Sequence, residues 1–272
     1  MDFLQLQNKN IVVMGVANRR SVAWAVAKVL LEVGAKPIYV FKDQALLDKN
    51  RALIGAEAPA VICDVEKDAD LAALRDAVAA VAPEVHGLVH SIAFANYSEG
   101  LKPFHETVKK DFLQAVDISC FSLVEVANRL KGLFSPDAAI VTMSISTTRM
   151  ASENYGYMGP IKAALDSTVA FLAKSLSQEV SPQIRVNAVG AGLLKTSASA
   201  GIPGYIDAYL YAEKVIPRRQ ALDTGEAANT VAFLLSRRSS GINAQTIIVD
   251  AGMSINYFDR DVVRRVTAAR SQ

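Results

Sequence analysis

The sequence predicts an α/β protein built on one parallel sheet, and three observations point to it. Seven short apolar runs, rich in Val and Ile, recur along the 272 residues. Longer stretches of helical periodicity separate them. Each run is apolar throughout rather than alternating, as parallel strands covered on both faces should be.

The first run, Asn10–Met14, leads through a turn into a helix over 22–33. Gly15 stands where the chain leaves the strand and carries no Cβ to hold a ligand away. Ser21 is placed to cap the helix, its oxygen accepting from an early helix N–H. Ala23 and Ala27, one turn apart, let this helix pack close to the sheet. Its free N–H groups and dipole would suit a pyrophosphate. Only Gly15 of the usual three-glycine fingerprint is present, so an ordinary strand-to-helix turn remains the other reading. The second run, 37–41, ends in Lys42-Asp43. An acidic residue there binds a ribose 2′-hydroxyl, and a basic one suits a 2′-phosphate; this pair leaves both open. The third run, 60–63, is followed by Asp64-Val65, where Asp64 either receives an adenine amino group or caps the helix expected over 68–81.

The remaining strands are expected over 87–92, 138–143, 185–189 and 246–249, with helices over 108–133, 158–178 and 225–235. Residues 190–219 carry Gly192, Gly201 and Gly204 and are too long for an ordinary connection, so they are expected to form a lid or binding segment. The basic tail, 259–270, is expected on the surface. With no repeat, low-complexity tract or Ser/Pro-rich linker, the chain reads as a single domain over 1–272.

Composition excludes several function classes. A net charge of +2 is too small for a general nucleic-acid binder. No run approaches the ~18 apolar residues of a membrane-spanning helix. Cys63 and Cys120 have no metal-ligand spacing, which argues against a disulfide or zinc scaffold. His86, His90 and His105 have no metal partner at useful spacing either, so no metal is expected, and His90, inside an apolar run, reads as a structural histidine. The start, Met1-Asp-Phe-Leu-Gln, lacks the features of a secretory leader, and a cytoplasmic enzyme is expected.

The chemistry concentrates in Asn154-Tyr155-Gly-Tyr157-Met-Gly-Pro-Ile-Lys162. Pro160 belongs in a first helical turn, which puts Tyr155 just ahead of a helix and Lys162 just inside it. At ~4 Å and an effective dielectric of ~20, an ammonium favours a phenolate by roughly 4 kcal/mol, so Lys162 is expected to make Tyr155 a better donor to a developing oxyanion.

The order of these motifs resembles the short-chain dehydrogenase/reductase superfamily, and within it the enoyl-acyl-carrier-protein reductases. The resemblance runs from Asn10 to about Ile255. It is carried by Gly15 through Ser21-Val-Ala23, Cys63-Asp64-Val65, His90-Ser-Ile-Ala-Phe-Ala95, Asp117-Ile-Ser119, Arg185-Val-Asn-Ala188 and Val249-Asp-Ala-Gly252, and by the six residues between Tyr155 and Lys162. Most short-chain reductases place three residues between Tyr and Lys, a spacing at which this chain has Met158.

The resemblance implies a Rossmann-type, doubly wound domain with seven parallel strands and a substrate lid at about 193–219. It implies NADH or NADPH as cofactor, Lys42 leaning slightly toward NADPH. Gly15, Ser21 and Val22 would hold the pyrophosphate, and Asp64 and Val65 would bracket the adenine. Ser91, Ile92 and Ala93 would line the cofactor, Lys162 would bind the nicotinamide ribose, and Leu194 and Thr196 would meet the carboxamide and phosphate ends. Tyr155 would bind the thioester carbonyl of an enoyl chain carried on acyl carrier protein, in fatty-acid synthesis. A homotetramer is implied, with neither nucleic acid nor membrane as partner.

The sequence departs from the family in three places. Ile145 stands ten residues before Tyr155, where the family has a second aromatic; it can pack on an acyl chain but cannot donate. Ala191-Gly192-Leu193 replaces Ala-Gly-Pro, and the lid sequence is its own. Two alternatives follow: a short-chain reductase of another enone or carbonyl, or a non-catalytic dinucleotide-binding paralogue. Lys195, Lys214, Arg218 and Arg219 around the lid read as a solvated basic rim, with an acidic carrier as the other reading.

Overall fold

The computed structural model describes residues 2–97, 99–100, 102–151, 155–200, 202 and 204–268. Met1, Asn154, Gly201 and Arg270, each part of a segment read above, lie outside the described residues.

Seven strands form one sheet: β1 (Asn10–Met14), β2 (Lys36–Phe41), β3 (Ala60–Ile62), β4 (Val85–His90), β5 (Phe134–Ile145), β6 (Arg185–Ala191) and β7 (Thr246–Val249). Their spatial order is β3-β2-β1-β4-β5-β6-β7, and every pairing is parallel. The sequence order reverses between β1 and β4, and the crevice outside the strands' carboxyl ends at such a switch point is where ligands bind in this architecture.

Ten helices accompany the sheet among the described residues: α1 (Val22–Glu32), α2 (Gln44–Ile54), α3 (Asp68–Val81), α4 (Lys109–Val116), α5 (Ser122–Leu130), α6 (Met158–Glu179), α7 (Ser197–Ala200), α8 (Tyr205–Val215), α9 (Thr224–Leu235) and α10 (Arg260–Ala268). The continuous apolar runs are explained by alternation into two cores. In β1, Val12 and Met14 join α3, α5 and α6, whereas Ile11 and Val13 join α1, α2 and α9. Both faces of each central strand are therefore covered, as the lack of polar alternation requires.

Four segments differ from expectation. The single helix expected over 108–133 is broken: α4 runs into a wide turn of π geometry, Asp117–Phe121, before α5 begins, and a short 3₁₀ turn, Lys131–Leu133, follows α5. Polar side chains bend it toward the end of β4. Ser119 Oγ accepts from Phe94 N at 2.9 Å, and Ser122 Oγ meets His90 Nε2 at 2.8 Å. The β5 strand begins at Phe134 rather than 138, because Phe134 pairs with Val85 before a register shift. Helix α2 was not legible as one, since it buries only Leu47, Asn50 and Ile54. The lid segment contains two helices, α7 and α8. The tail lies on the surface as expected, α10 having no buried residue.

Candidate active site at the carboxyl edge of the sheet

The chain leaves β1 through Gly15 at φ +99°, and a Cβ there would lie 2.0 Å from the Ser91 carbonyl oxygen. The loops after β1 and β4 thus meet backbone to backbone, and Ser91 N donates to Met14 O at 3.3 Å. Only glycine satisfies both the left-handed conformation and the close approach. This is a cradle that a side chain would fill, beside the start of α1. Ser21 caps α1: its Oγ accepts from Trp24 N at 3.4 Å and donates to Asn18 O at 2.7 Å. Val22 opens the helix. Ser91 and Ile92 are half-buried and Ala93 is exposed at the same edge.

Asp43 caps α2, its Oδ1 accepting from Leu46 N at 2.7 Å. The exposed Lys42 Nζ donates to Glu66 Oε2 at 3.1 Å and lies 3.7 Å from Asp64 Oδ2. Partial burial opposes its charge, but the bond to Glu66 and the carboxylates of Asp64, Glu66 and Asp43 win, and its pKa is raised. Asp64 is buried; its Oδ1 accepts from Glu66 N at 3.2 Å and its Oδ2 lies 3.6 Å from Lys67 Nζ. It therefore holds its own turn rather than capping α3, whose N-cap is Lys67. Val65 beside it is core.

From Lys42 a line of contacts crosses the edge of the sheet. Gln114 Nε2 donates to Glu66 Oε1 at 2.8 Å, and Asn96 Nδ2 donates to Gln114 Oε1 at 3.4 Å. The Tyr157 hydroxyl then donates to the Asn96 carbonyl. This path joins the β2 end to the loop after β4 and to the start of α6.

Lys162, inside α6, is buried, and its Nζ donates to Met143 O of β5 at 2.7 Å. Burial pulls its pKa down to about 8 against the opposing influence of Cys120 and Asp166. The expected easing of Tyr155 ionisation by Lys162 is not what the structure shows. Burial, then Tyr205 and Tyr97, push the Tyr155 phenol well above its ordinary value, so it keeps its proton. The reason is geometric: the ammonium is turned to the Met143 carbonyl, and the half-buried phenol lies among other phenols. Ile145, half-buried, ends β5 opposite Ala191 of β6.

The lid is anchored where β6 ends. Leu194 is buried, bridges Leu222, and its carbonyl accepts from Tyr205 Oη at 2.8 Å and Ser199 Oγ at 2.9 Å. Thr196 N donates to Ser199 Oγ at 2.9 Å, and Ser199 N donates to Thr196 Oγ1 at 3.1 Å. The basic rim is partly spent. Both guanidinium nitrogens of Arg218 hold Glu226, at 2.5 and 2.7 Å, and Arg219 pairs with Asp259 at 3.1 Å and Asp261 at 3.6 Å.

His90 is a structural residue, as the sequence suggested. Its ring lies between Thr142 Oγ1 at 3.0 Å and Ser122 Oγ at 2.8 Å, and burial drives its pKa to about 3. Among the described residues no His, Cys, Asp and Glu cluster suited to a metal is found.

Sequence reasoning missed three groups at this edge: Tyr205 in the lid, the buried Ser144 hydroxyl and the Tyr97 hydroxyl. The last two have no hydrogen-bond partner. No periodicity or spacing marks them, because Tyr205 matters through its bond to the Leu194 carbonyl and the other two through burial without a partner among the described residues.

The cradle at Gly15, the capped start of α1 and the buried lysine on α6 fit a dinucleotide. The comparisons with known proteins agree. The model of the enoyl-(acyl carrier protein) reductase family matches residues 15–254. An NADH enoyl-acyl-carrier-protein reductase of Enterococcus faecalis is 36% identical over 92% of this chain and 99% of its own length. An NADPH enzyme of that name from Staphylococcus aureus is 35% identical over 92% of this chain and 98% of its own. The crystal structure of the Bacillus cereus enoyl-acyl carrier protein reductase with NADP+ and an indole naphthyridinone superposes with a TM-score of 0.86 at 35% identity, covering 92% of this chain and 98% of that one. On its sequence and its fold, this chain belongs to the enoyl-acyl-carrier-protein reductase family.

Proposed function

We propose that this protein reduces trans-2-enoyl thioesters, carried on acyl carrier protein, to saturated acyl thioesters in fatty-acid synthesis. The observation that carries the reading is the pair on the entry to α6: Tyr155, protonated and half-buried, and Lys162, buried and locked to Met143 O at 2.7 Å. A reduced nicotinamide, when bound, supplies the hydride that reaches the β-carbon of the enoyl group. Gly15, Ser21 and Val22 hold the pyrophosphate at the start of α1. Asp64 and Val65 flank the adenine, and Ser91, Ile92 and Ala93 line the site at the end of β4. Leu194 and Thr196 close it from the lid side. Lys162 donates to the ribose hydroxyls from a fixed position. Tyr155 donates from Oη to the thioester oxygen, where negative charge develops as the enolate forms, and the α-carbon then takes a proton. Ile145 packs on the acyl chain.

Against the slight lean of Lys42 toward NADPH, this reading takes NADH as the preferred cofactor. At the ribose edge, Lys42 and Lys67 face three carboxylates, Asp43, Asp64 and Glu66, so a 2′-phosphate meets net repulsion. In this reading the protein is a single reductase domain assembled as a homotetramer in the cytoplasm; among the described residues no helix is long and apolar enough to cross a membrane.

The test is turnover of crotonyl and longer enoyl thioesters with NADH and with NADPH; a pure protein that oxidises neither overturns the reading. The second reading, a reductase of another enone or carbonyl, is favoured by Ile145 and the divergent lid sequence. Side-by-side rates with enoyl and 3-oxoacyl thioesters separate the two.

A further inference from the structure

The loop after β4 carries a phenol without a partner. Tyr97 Oη is buried from solvent and, among the described residues, has no hydrogen-bond partner. Its ring lies 5.4 Å from that of Tyr157, tilted by 40°, and Phe112 closes the other side of Tyr157 at 6.0 Å. Tyr157 spends its donor proton on the Asn96 carbonyl and so fixes the backbone next to Tyr97, but no bond joins the two hydroxyls. Tyr97 and Tyr155 pack against the same core cluster, and Tyr97 is among the groups that raise the Tyr155 pKa. Burying a donor without a partner is costly, and a bound acceptor removes that cost. The apolar side chain of Ile145, at the adjoining strand end, can supply neither donor nor acceptor.

We propose that Tyr97 is a second substrate-binding phenol, donating from Oη to the carbonyl oxygen of the enoyl thioester beside Tyr155. A carbonyl oxygen has two lone pairs and accepts two such bonds. As the oxygen gains charge, both bonds strengthen, so the second donor assists the chemical step as well as binding. Tyr97 needs no ionisation for this: burial raises its pKa and it stays a donor. This role rests on the enoyl-thioester reading above.

The test is Tyr97→Phe, which deletes one oxygen and keeps the ring. Three quantities are measured against wild type: kcat and KM for an enoyl thioester, the Kd for NADH, and the Tm of the ligand-free protein. The expected result is a kcat/KM lower by about 10–100-fold, an unchanged NADH Kd, and a Tm that is unchanged or raised, since an unsatisfied polar group has been removed. Unchanged kinetics overturn the proposal. So does a lowered Tm with a weakened NADH Kd, which marks the hydroxyl as structural. A wild-type protein without turnover overturns the reductase reading and this role with it, whereas an active wild type matched by Tyr97→Phe overturns the role alone.

Discussion

Lys162 and Met143 are joined by a single bond, ammonium to backbone carbonyl at 2.7 Å, across the junction between α6 and β5. It fixes a buried positive charge at the end of the sheet with no carboxylate hydrogen-bonded to it. Burial lowers the Lys162 pKa to about 8. Cofactor affinity should fall as pH rises through that value, because the ammonium loses its charge. Stability moves the other way. Between about 8 and the ordinary lysine value of 10.5 the unfolded chain holds the extra proton, so the ligand-free fold gains stability as pH rises through this window. Lys162→Met should flatten both dependences, weaken cofactor binding at neutral pH, and raise ligand-free stability by ~1–3 kcal/mol. Titrations of bound cofactor and of Tm against pH measure both.

Burial raises the Tyr155 pKa, so the phenol should keep its proton across the working range and the basic limb of activity is expected from Lys162. Tyr155→Phe should lower kcat by about 10²–10³-fold while leaving the NADH Kd and the position of the basic limb unchanged. A limb that disappears with the hydroxyl would transfer the titration to Tyr155.

Gly15 has no tolerated substitute. In Gly15→Ala the new methyl would stand 2.0 Å from Ser91 O, at a φ of +99° that alanine resists. The strand ends must part to admit it. We expect a loss of ~2 kcal/mol or more in urea unfolding and a cofactor Kd raised in proportion to the opened cradle.

His90 is neutral in the fold, with a pKa near 3, and titrates at its ordinary value of 6.5 when unfolded. Its contribution is complete above 6.5 and is lost as pH falls from there toward 3. His90→Leu should cost ~1–3 kcal/mol at neutral pH, by leaving Thr142 and Ser122 without the ring. The gap to wild type should close on acidification, which Tm measured at stepped pH reads directly.

At the ribose edge, Glu66→Gln removes one repelling carboxylate and frees Lys42. NADPH should improve by about 10-fold, near 1.4 kcal/mol, with NADH little changed. Lys42→Gln should reduce NADPH use further and leave NADH use intact. The kcat/KM ratio of the two cofactors across the variants is the measurement.

The sheet and the α6 pair were legible because they are local. Strand runs such as Asn10–Met14 announce two-sided burial by lacking polar alternation, and Pro160 marks where α6 begins. What escaped depends on distant partners. Helix α2 presents a mostly polar strip with three buried residues, too few for a period to show. The wide turn at Asp117–Phe121 exists because Ser119 and Ser122 reach Phe94 and His90, in a segment with otherwise helical spacing. Part of the Arg185-Val-Asn-Ala188 motif proved architectural: the buried Arg185 guanidinium donates to Leu234 O and Ser236 O, each at 3.0 Å, and closes the end of α9. The direction of the Tyr155 shift needed to know which way Lys162 turns, and spacing alone does not contain that.

On the roles proposed for Lys42 and Tyr97, the contacts running from Lys42 through Glu66, Gln114 and Asn96 to Tyr157 would tie cofactor choice to acyl recognition. A dinucleotide that draws Lys42 from Glu66 releases the first joint of a strut whose far end braces the loop holding Tyr97. Lineages that exchange one reductant for the other would then be obliged to retune the fatty chains they accept, and substitutions at Gln114 would record the compromise.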